Sequence, residues 1–149
     1  MPEQDLAHIA ARLNKEFGEG TAAADDLRLI ICAERLSQAA TLLRDAPEYG
    51  FDYLNSLTAA DHKTHFSVVY HLTALEAGRR LSFKVDLDDR ENPLLPSVIS
   101  VWRGADLQER EVFDMFGITF SGHPNLKRLF MWEGFPGYPL RKDWVNRDV

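Results

Sequence analysis

Residues 66–87 run Phe66-Ser67-Val68-Val69-Tyr70-His71-Leu72-Thr73-Ala74-Leu75-Glu76-Ala77-Gly78-Arg79-Arg80-Leu81-Ser82-Phe83-Lys84-Val85-Asp86-Leu87. Phe66, Val68 and Tyr70 recur at every second position, and Leu81, Phe83, Val85 and Leu87 repeat the pattern beyond Glu76-Ala77-Gly78-Arg79. Alternate side chains of an extended chain share a face, so each run can turn one face into a core. Two such runs across a short glycine-containing turn predict a β-hairpin, with strands over 66–75 and 81–87. A lone hairpin is marginal in water, so neighbouring segments must cover its apolar face.

Those segments are legible on both sides. Upstream, Leu27, Leu29 and Ile31 alternate as a strand does, and residues 53–60 predict another strand. Leu6, Ile9, Leu13 and Phe17 recur at helical spacing over residues 5–17, and Gly18 and Gly20 supply the stop. A second helix over 34–45 places Leu36, Ala39, Ala40 and Leu43 on one face before Pro47 ends it. Downstream of the hairpin, residues 88–93 read as a solvated loop, and Pro96-Ser97 opens a short helical piece reaching Trp102. Residues 105–116 predict a third helix that closes at Gly117. Arg110 stands four residues from both Asp106 and Asp114, so that spacing predicts one arginine bridging two carboxylates.

After Phe120 periodicity vanishes. Pro124, Pro136 and Pro139 break the chain, and Phe130, Trp132, Phe135, Tyr138 and Trp144 are interspersed among them. So much aromatic area favours burial at about 25 cal/mol per Å². The segment is nevertheless too proline- and glycine-broken to build a core of its own. It reads as an extended, irregular C-terminal arm that packs on its own domain or on a partner, and the partner is the expectation. The chain is therefore divided into a domain over 1–116 and an arm over 117–149.

Composition narrows the function classes. The 149 residues suit one domain, and 45% hydrophobic with 27% charged residues is ordinary for a globular protein. The formal charge of −6 is uneven: residues 1–120 hold 12 basic and 20 acidic residues, residues 121–149 five and three. An acidic body with a slightly basic tail argues against nucleic acid as a partner. It also gives too little charge to hold the chain on a membrane. No stretch reaches the roughly 18 apolar residues of a membrane span, and the acidic start at Met1-Pro2-Glu3-Gln4-Asp5 lacks a signal or transit pattern. Membrane association is expected only through a complex, on the side where the chain is made.

Chemistry-bearing patterns are sparse. Cys32 is the single cysteine, in an apolar stretch, and one thiolate cannot hold an iron–sulfur cluster. Asp61-His62-x-x-His65 offers two imidazoles and a carboxylate without a second ligand group, so it reads first as a polar turn and only second as a hydrolytic metal site. Neither a dinucleotide fingerprint nor a P-loop occurs. No catalytic, cofactor-binding or metal-ligating residue is expected in this chain.

The stretch Ala105-Asp106-Leu107-Gln108-Glu109-Arg110-Glu111-Val112-Phe113-Asp114-Met115-Phe116-Gly117-Ile118-Thr119-Phe120-Ser121-Gly122-His123-Pro124 resembles the signature of the C subunit of respiratory complex I (NADH:quinone oxidoreductase, the thirty-kilodalton subunit family). Pro139-Leu140-Arg141-Lys142-Asp143 resembles that family's second landmark. The chain departs from the pattern at Leu107, where the family usually has Trp, at Gly137-Tyr138-Pro139 and after Asp143.

The resemblance implies an α+β fold, with helices packed on a small mixed sheet. It implies a non-catalytic structural subunit in the peripheral arm of a proton-translocating NADH:quinone oxidoreductase. The chain would dock beside the D subunit, which together with the B subunit forms the quinone pocket. FMN, iron–sulfur clusters and quinone would then sit in partner subunits, and the chain would lie on the cytoplasmic side of the bacterial inner membrane. The alternative is the equivalent subunit of a ferredoxin- or coenzyme-F420-linked dehydrogenase, or of a membrane-bound hydrogenase. The signature and interface residues it implies are Glu109, Arg110, Glu111, Asp114, Phe116, Gly117, Gly122, His123, Pro124, Pro139, Leu140, Arg141, Lys142 and Asp143. In that reading Arg141 and Lys142 meet carboxylates or helix C-termini on the partner.

Overall fold

A computed structural model describes residues 6–132 and 135–144. Its elements run α1 (Leu6–Phe17), β1 (Ala22–Ala24), β2 (Leu29–Ile31), α2 (Leu36–Asp45), β3 (Tyr53–Asp61), β4 (Phe66–Ala74), β5 (Arg79–Leu87), β6 (Leu94–Pro96), α3 (Ala105–Phe116) and β7 (Thr119–Ser121). The fold is α+β. Five strands form one sheet in the order β1-β2-β5-β4-β3, and β6 and β7 form a small second sheet. The β2–β5 pairing is parallel and the other pairings of the large sheet are antiparallel, so that sheet is mixed.

The hairpin read from residues 66–87 is the centre of this sheet. Phe66 pairs with Leu87, Val68 with Val85, Tyr70 with Phe83 and Leu72 with Leu81. All eight side chains are buried on one face. Tyr70 stacks on Phe83 with ring centroids 4.4 Å apart and planes 9° apart, a cross-strand aromatic pair of the kind that adds stability beyond area burial. Leu29 and Ile31 extend the same face. Ile9 and Leu13 of α1, Leu36 and Leu43 of α2, and Val112 of α3 close the core over it. On the other face His71 reaches Ser82 at 2.6 Å and the Ser67 hydroxyl donates to Asp86 at 2.5 Å. Polar pairs of this sort suit a sheet with one face in water.

One predicted element is absent. The helical piece from Pro96 to Trp102 is instead the end of β6 followed by a single turn, in which the amides of Val101 and Trp102 both donate to the Val98 carbonyl (3.0 and 2.8 Å). The reason lies at Ser97. Its amide donates to the Ser121 carbonyl in the β6–β7 ladder at 2.8 Å, and its hydroxyl donates to Glu109 at 2.5 Å. The residue proposed to cap a helix is thus held in a strand extension. Among the described residues no helix is long and apolar enough to cross a membrane.

Candidate functional site

The described part of the arm folds back over α3 and the far end of the central hairpin, and Asp114 and Arg128 hold its first half. Asp114 lies on the inner side of the last turn of α3 with its side chain wholly buried. One carboxylate oxygen accepts the Arg128 Nε–H at 2.6 Å. The other accepts three consecutive amides, from Leu129 (3.1 Å), Phe130 (2.6 Å) and Met131 (3.0 Å). Burial alone would push this carboxyl up, but Arg128 and the three amides outweigh it and hold it below the ordinary carboxylate range. Arg128 also donates to the carbonyls of Asp114, Phe135 and Gly137 at 2.7, 2.9 and 2.8 Å and lies over the Phe135 and Tyr138 rings. A planar guanidinium with five fixed donors suits such a hub in a way an ammonium does not.

Further clasps run along α3. His123 has a fully buried side chain whose Nδ1 accepts the Asn125 amide at 3.0 Å, leaving the ring proton on Nε2. That nitrogen lies 3.0 Å from the Asp106 carboxylate. Arg110 donates to the carbonyls of Lys127 (3.2 Å) and Arg128 (3.4 Å). The bridge expected from Arg110 to Asp106 and Asp114 is therefore replaced. Asp106 takes His123, Asp114 takes Arg128, and Arg110 stitches the arm's backbone to the helix. Helical spacing brought the three side chains near each other, but the arm supplied better-placed partners.

The second half of the arm is strapped across the sheet end. Gly117 ends α3 at φ +74°, the left-handed conformation favoured by glycine. A Cβ there would lie 2.7 Å from the Tyr138 ring and 2.9 Å from Arg141 Nη2, so the strap crosses where only glycine leaves room. Arg141 donates to the Phe116 carbonyl at 2.6 Å and lies over the Phe66 and Tyr138 rings. The Leu140 amide donates to Met115, and the Lys142 amide donates to Asp61 at 2.8 Å. Asp61 is buried at the end of β3 and also accepts Arg90 through both nitrogens (2.5 and 3.1 Å) and the Lys63 amide. Arg90 first, with the two amides in support, holds this carboxyl well below its ordinary value against the cost of burial. Arg90 further reaches Asp143 at 3.4 Å.

Asp61 is thus engaged as the strap's anchor and is not available as a ligand beside His62 and His65. Those two rings stack 4.8 Å apart, and His65 lies against Thr64 and Asp86. Among the described residues no group of three His, Cys, Asp or Glu is arranged to hold a metal.

Of the remaining signature residues, Glu109 is completely buried and accepts the Ser97 hydroxyl and the Val98 amide (2.5 and 2.9 Å), tying α3 to β6. Burial pushes its carboxyl up, against those two bonds. Phe116 meets Phe66 edge-on. Glu111, Gly122 and Pro124 are exposed, and Pro139 is half-buried. The arm turns several large apolar side chains outward, with Phe130, Trp132 and Leu140 61%, 62% and 55% exposed beside the exposed polar Asn125, Lys127, Lys142 and Asp143, and Leu107 on α3 is 56% exposed. Sequence reading missed Arg128, Asp61 and Arg90 as organisers. For Arg128 the available signal was a Lys127-Arg128 pair ahead of aromatics in an aperiodic segment, and it named no partner.

The family described as respiratory-chain NADH dehydrogenase, 30 Kd subunit, matches residues 29–148. The chain belongs to this family. The NADH-quinone oxidoreductase C subunit of Roseiflexus sp. (strain RS-1) is 45% identical over 121 residues, covering 79% of this chain and 69% of the relative. The corresponding protein of Roseiflexus castenholzii is 40% identical over 141 residues, covering 93% and 80%. A chain in the structure of the membrane-bound sulfane sulfur reductase, an archaeal respiratory membrane complex, superposes with a TM-score of 0.71 over 93% of this chain and 84% of that one. At 23% identity it shows that the fold is shared. The two stretches that carried the resemblance, residues 105–124 and 139–143, lie within the matched span, and contacts from both hold the described part of the arm to the domain.

Proposed function

We propose that this chain is a non-catalytic structural subunit of the peripheral arm of a proton-translocating NADH:quinone oxidoreductase. It supports electron transfer from NADH to quinone by docking on the D subunit, beside the B subunit, while FMN, iron–sulfur clusters and quinone belong to partner chains. In this reading it is a peripheral protein on the cytoplasmic side of the bacterial inner membrane, held there through the complex.

The observation that carries the proposal is the arm's combination of internal order and outward-facing aromatic side chains. Its backbone is held by buried Asp114 and Asp61, yet Phe130 and Trp132 point away from the domain. A monomer has no use for fixed aromatic knobs in water. Burying each in a partner's pocket contributes on the order of 2–3 kcal/mol, and having the backbone already ordered reduces the entropic cost of association. Aromatic anchors of this type dominate interface energetics. Leu107 and Leu140 extend the same apolar character. Arg141, first expected to face the partner, is engaged within the chain, so its contribution to docking is to hold the strap in place.

Mild detergent extraction of native membranes, a native gel and mass spectrometry of the band test the reading. The expected result is co-migration with a large assembly that oxidises NADH and reduces quinone. A chain found only as a small free species, or in an assembly without NADH oxidation, contradicts it.

A further inference from the structure

The large sheet has two edge strands, and one side-chain amide from a helix lies on each. On β1, the neighbours of Ala22 use their main-chain groups toward β2 and its continuation: the Cys32 amide donates to Thr21 at 2.9 Å, and Ala23 faces Ile30 in the ladder. In an antiparallel pair the intervening residue points its own N–H and C=O outward. Ala22 does so, and Asn14 of α1 meets both groups. Its Nδ2 donates to the Ala22 carbonyl and its Oδ1 accepts the Ala22 amide, each at 2.9 Å. The carboxamide reproduces the two-point pairing of a neighbouring strand.

On the opposite edge, β3 is nine residues long. Its Leu57 amide donates to Gln108 Oε1 of α3 at 2.6 Å, away from β4. Gln108 Nε2 donates to the Gly104 carbonyl one turn back, which fixes the orientation of the side chain. An unpaired edge of this length is a template for another chain's strand, and proteins cover or interrupt such edges.

We propose that Asn14 and Gln108 are edge caps that keep the unassembled chain from adding strand to strand with a second copy of itself. The occupant excluded is the same chain, because β3 and its antiparallel copy would present identical apolar and polar faces in register. The device acts before assembly and is independent of which complex the chain enters.

The test uses the full chain with Gln108→Leu, Gln108→Ala, Asn14→Leu and the acceptor-keeping Gln108→Glu. Sedimentation velocity over a hundredfold concentration range, hydrogen exchange and circular dichroism are read together. The expected result is a monomeric wild type and Gln108→Glu. The Leu and Ala variants keep their helix signal, exchange the Leu57 or Ala22 amide about tenfold faster, and associate with concentration. Folded Leu and Ala variants that stay monomeric overturn the proposal. So does association that Gln108→Glu shows equally, or that appears only when the helix signal is lost.

Discussion

Asp114→Asn is the sharpest probe of the arm. The substitution keeps size and shape but removes the charge opposite Arg128, and it turns either an amide nitrogen or a neutral oxygen toward the amides of Leu129, Phe130 and Met131. Removing one partner of a buried ion pair costs about 3–5 kcal/mol when the other stays buried. Arg128 is 15% exposed and sits in an arm that can lift away and rehydrate it, so the lower end applies, about 3 kcal/mol. For a chain of this size that lowers the thermal midpoint by roughly 6–12 °C. The arm opens first. Hydrogen exchange should show residues 128–131 and 135–138 almost fully deprotected, while the β4–β5 hairpin stays protected and loses only what the global stability loses. A midpoint within about 1 °C of wild type, with unchanged arm protection, would refute the role of Asp114 as organiser of the arm.

Three further outcomes follow from the same geometry. Gly117→Ala places a methyl against Tyr138 and Arg141 at a left-handed φ, and should cost about 2 kcal/mol and deprotect residues 138–144, measured by denaturant unfolding with exchange. Glu109→Gln should change neutral-pH stability by no more than about 1 kcal/mol, because Ser97 can turn its hydroxyl to accept, whereas Glu109→Leu strands Ser97 and the Val98 amide and costs more. Its raised carboxyl contributes stability at low pH that is lost as pH rises through the folded value, so Glu109→Gln should flatten that part of the profile. Asp61 and Asp114 have the opposite sign. Their lowered values give stability that is present above the ordinary carboxylate range and lost as pH falls below it, and Asp61→Asn should reduce that acid sensitivity in a pH series of thermal melts.

The parts of the fold legible in the sequence are those where one chemical rhythm governs a whole element. The 66–87 hairpin and the helices at 6–17, 36–45 and 105–116 each bury a face whose spacing stands in the sequence. β1 escaped because its three alanines have neither branching nor alternation, and β6 because Leu94-Leu95-Pro96 reads as an approach to a helix. The landmark residues Glu109, Asp114, Gly117 and Arg141 all prove to be structural contacts. Their partners were not legible. Arg128 meets Asp114 across 14 positions and Arg90 meets Asp61 across 29, and no local pattern encodes pairings that only the tertiary fold creates.

On the proposed docking through a pre-ordered arm, Phe130 and Trp132 are dispensable for the fold of the free chain and indispensable for its assembly. Affinity purification from native membranes of a tagged chain carrying Phe130→Ala and Trp132→Ala, with hydrogen exchange on the same protein purified alone, separates these two roles. The partner chains should be lost from the purified material while the arm's amides at 129–131 stay protected. Full recovery of the partners with both aromatics removed would show that the arm is not the docking surface.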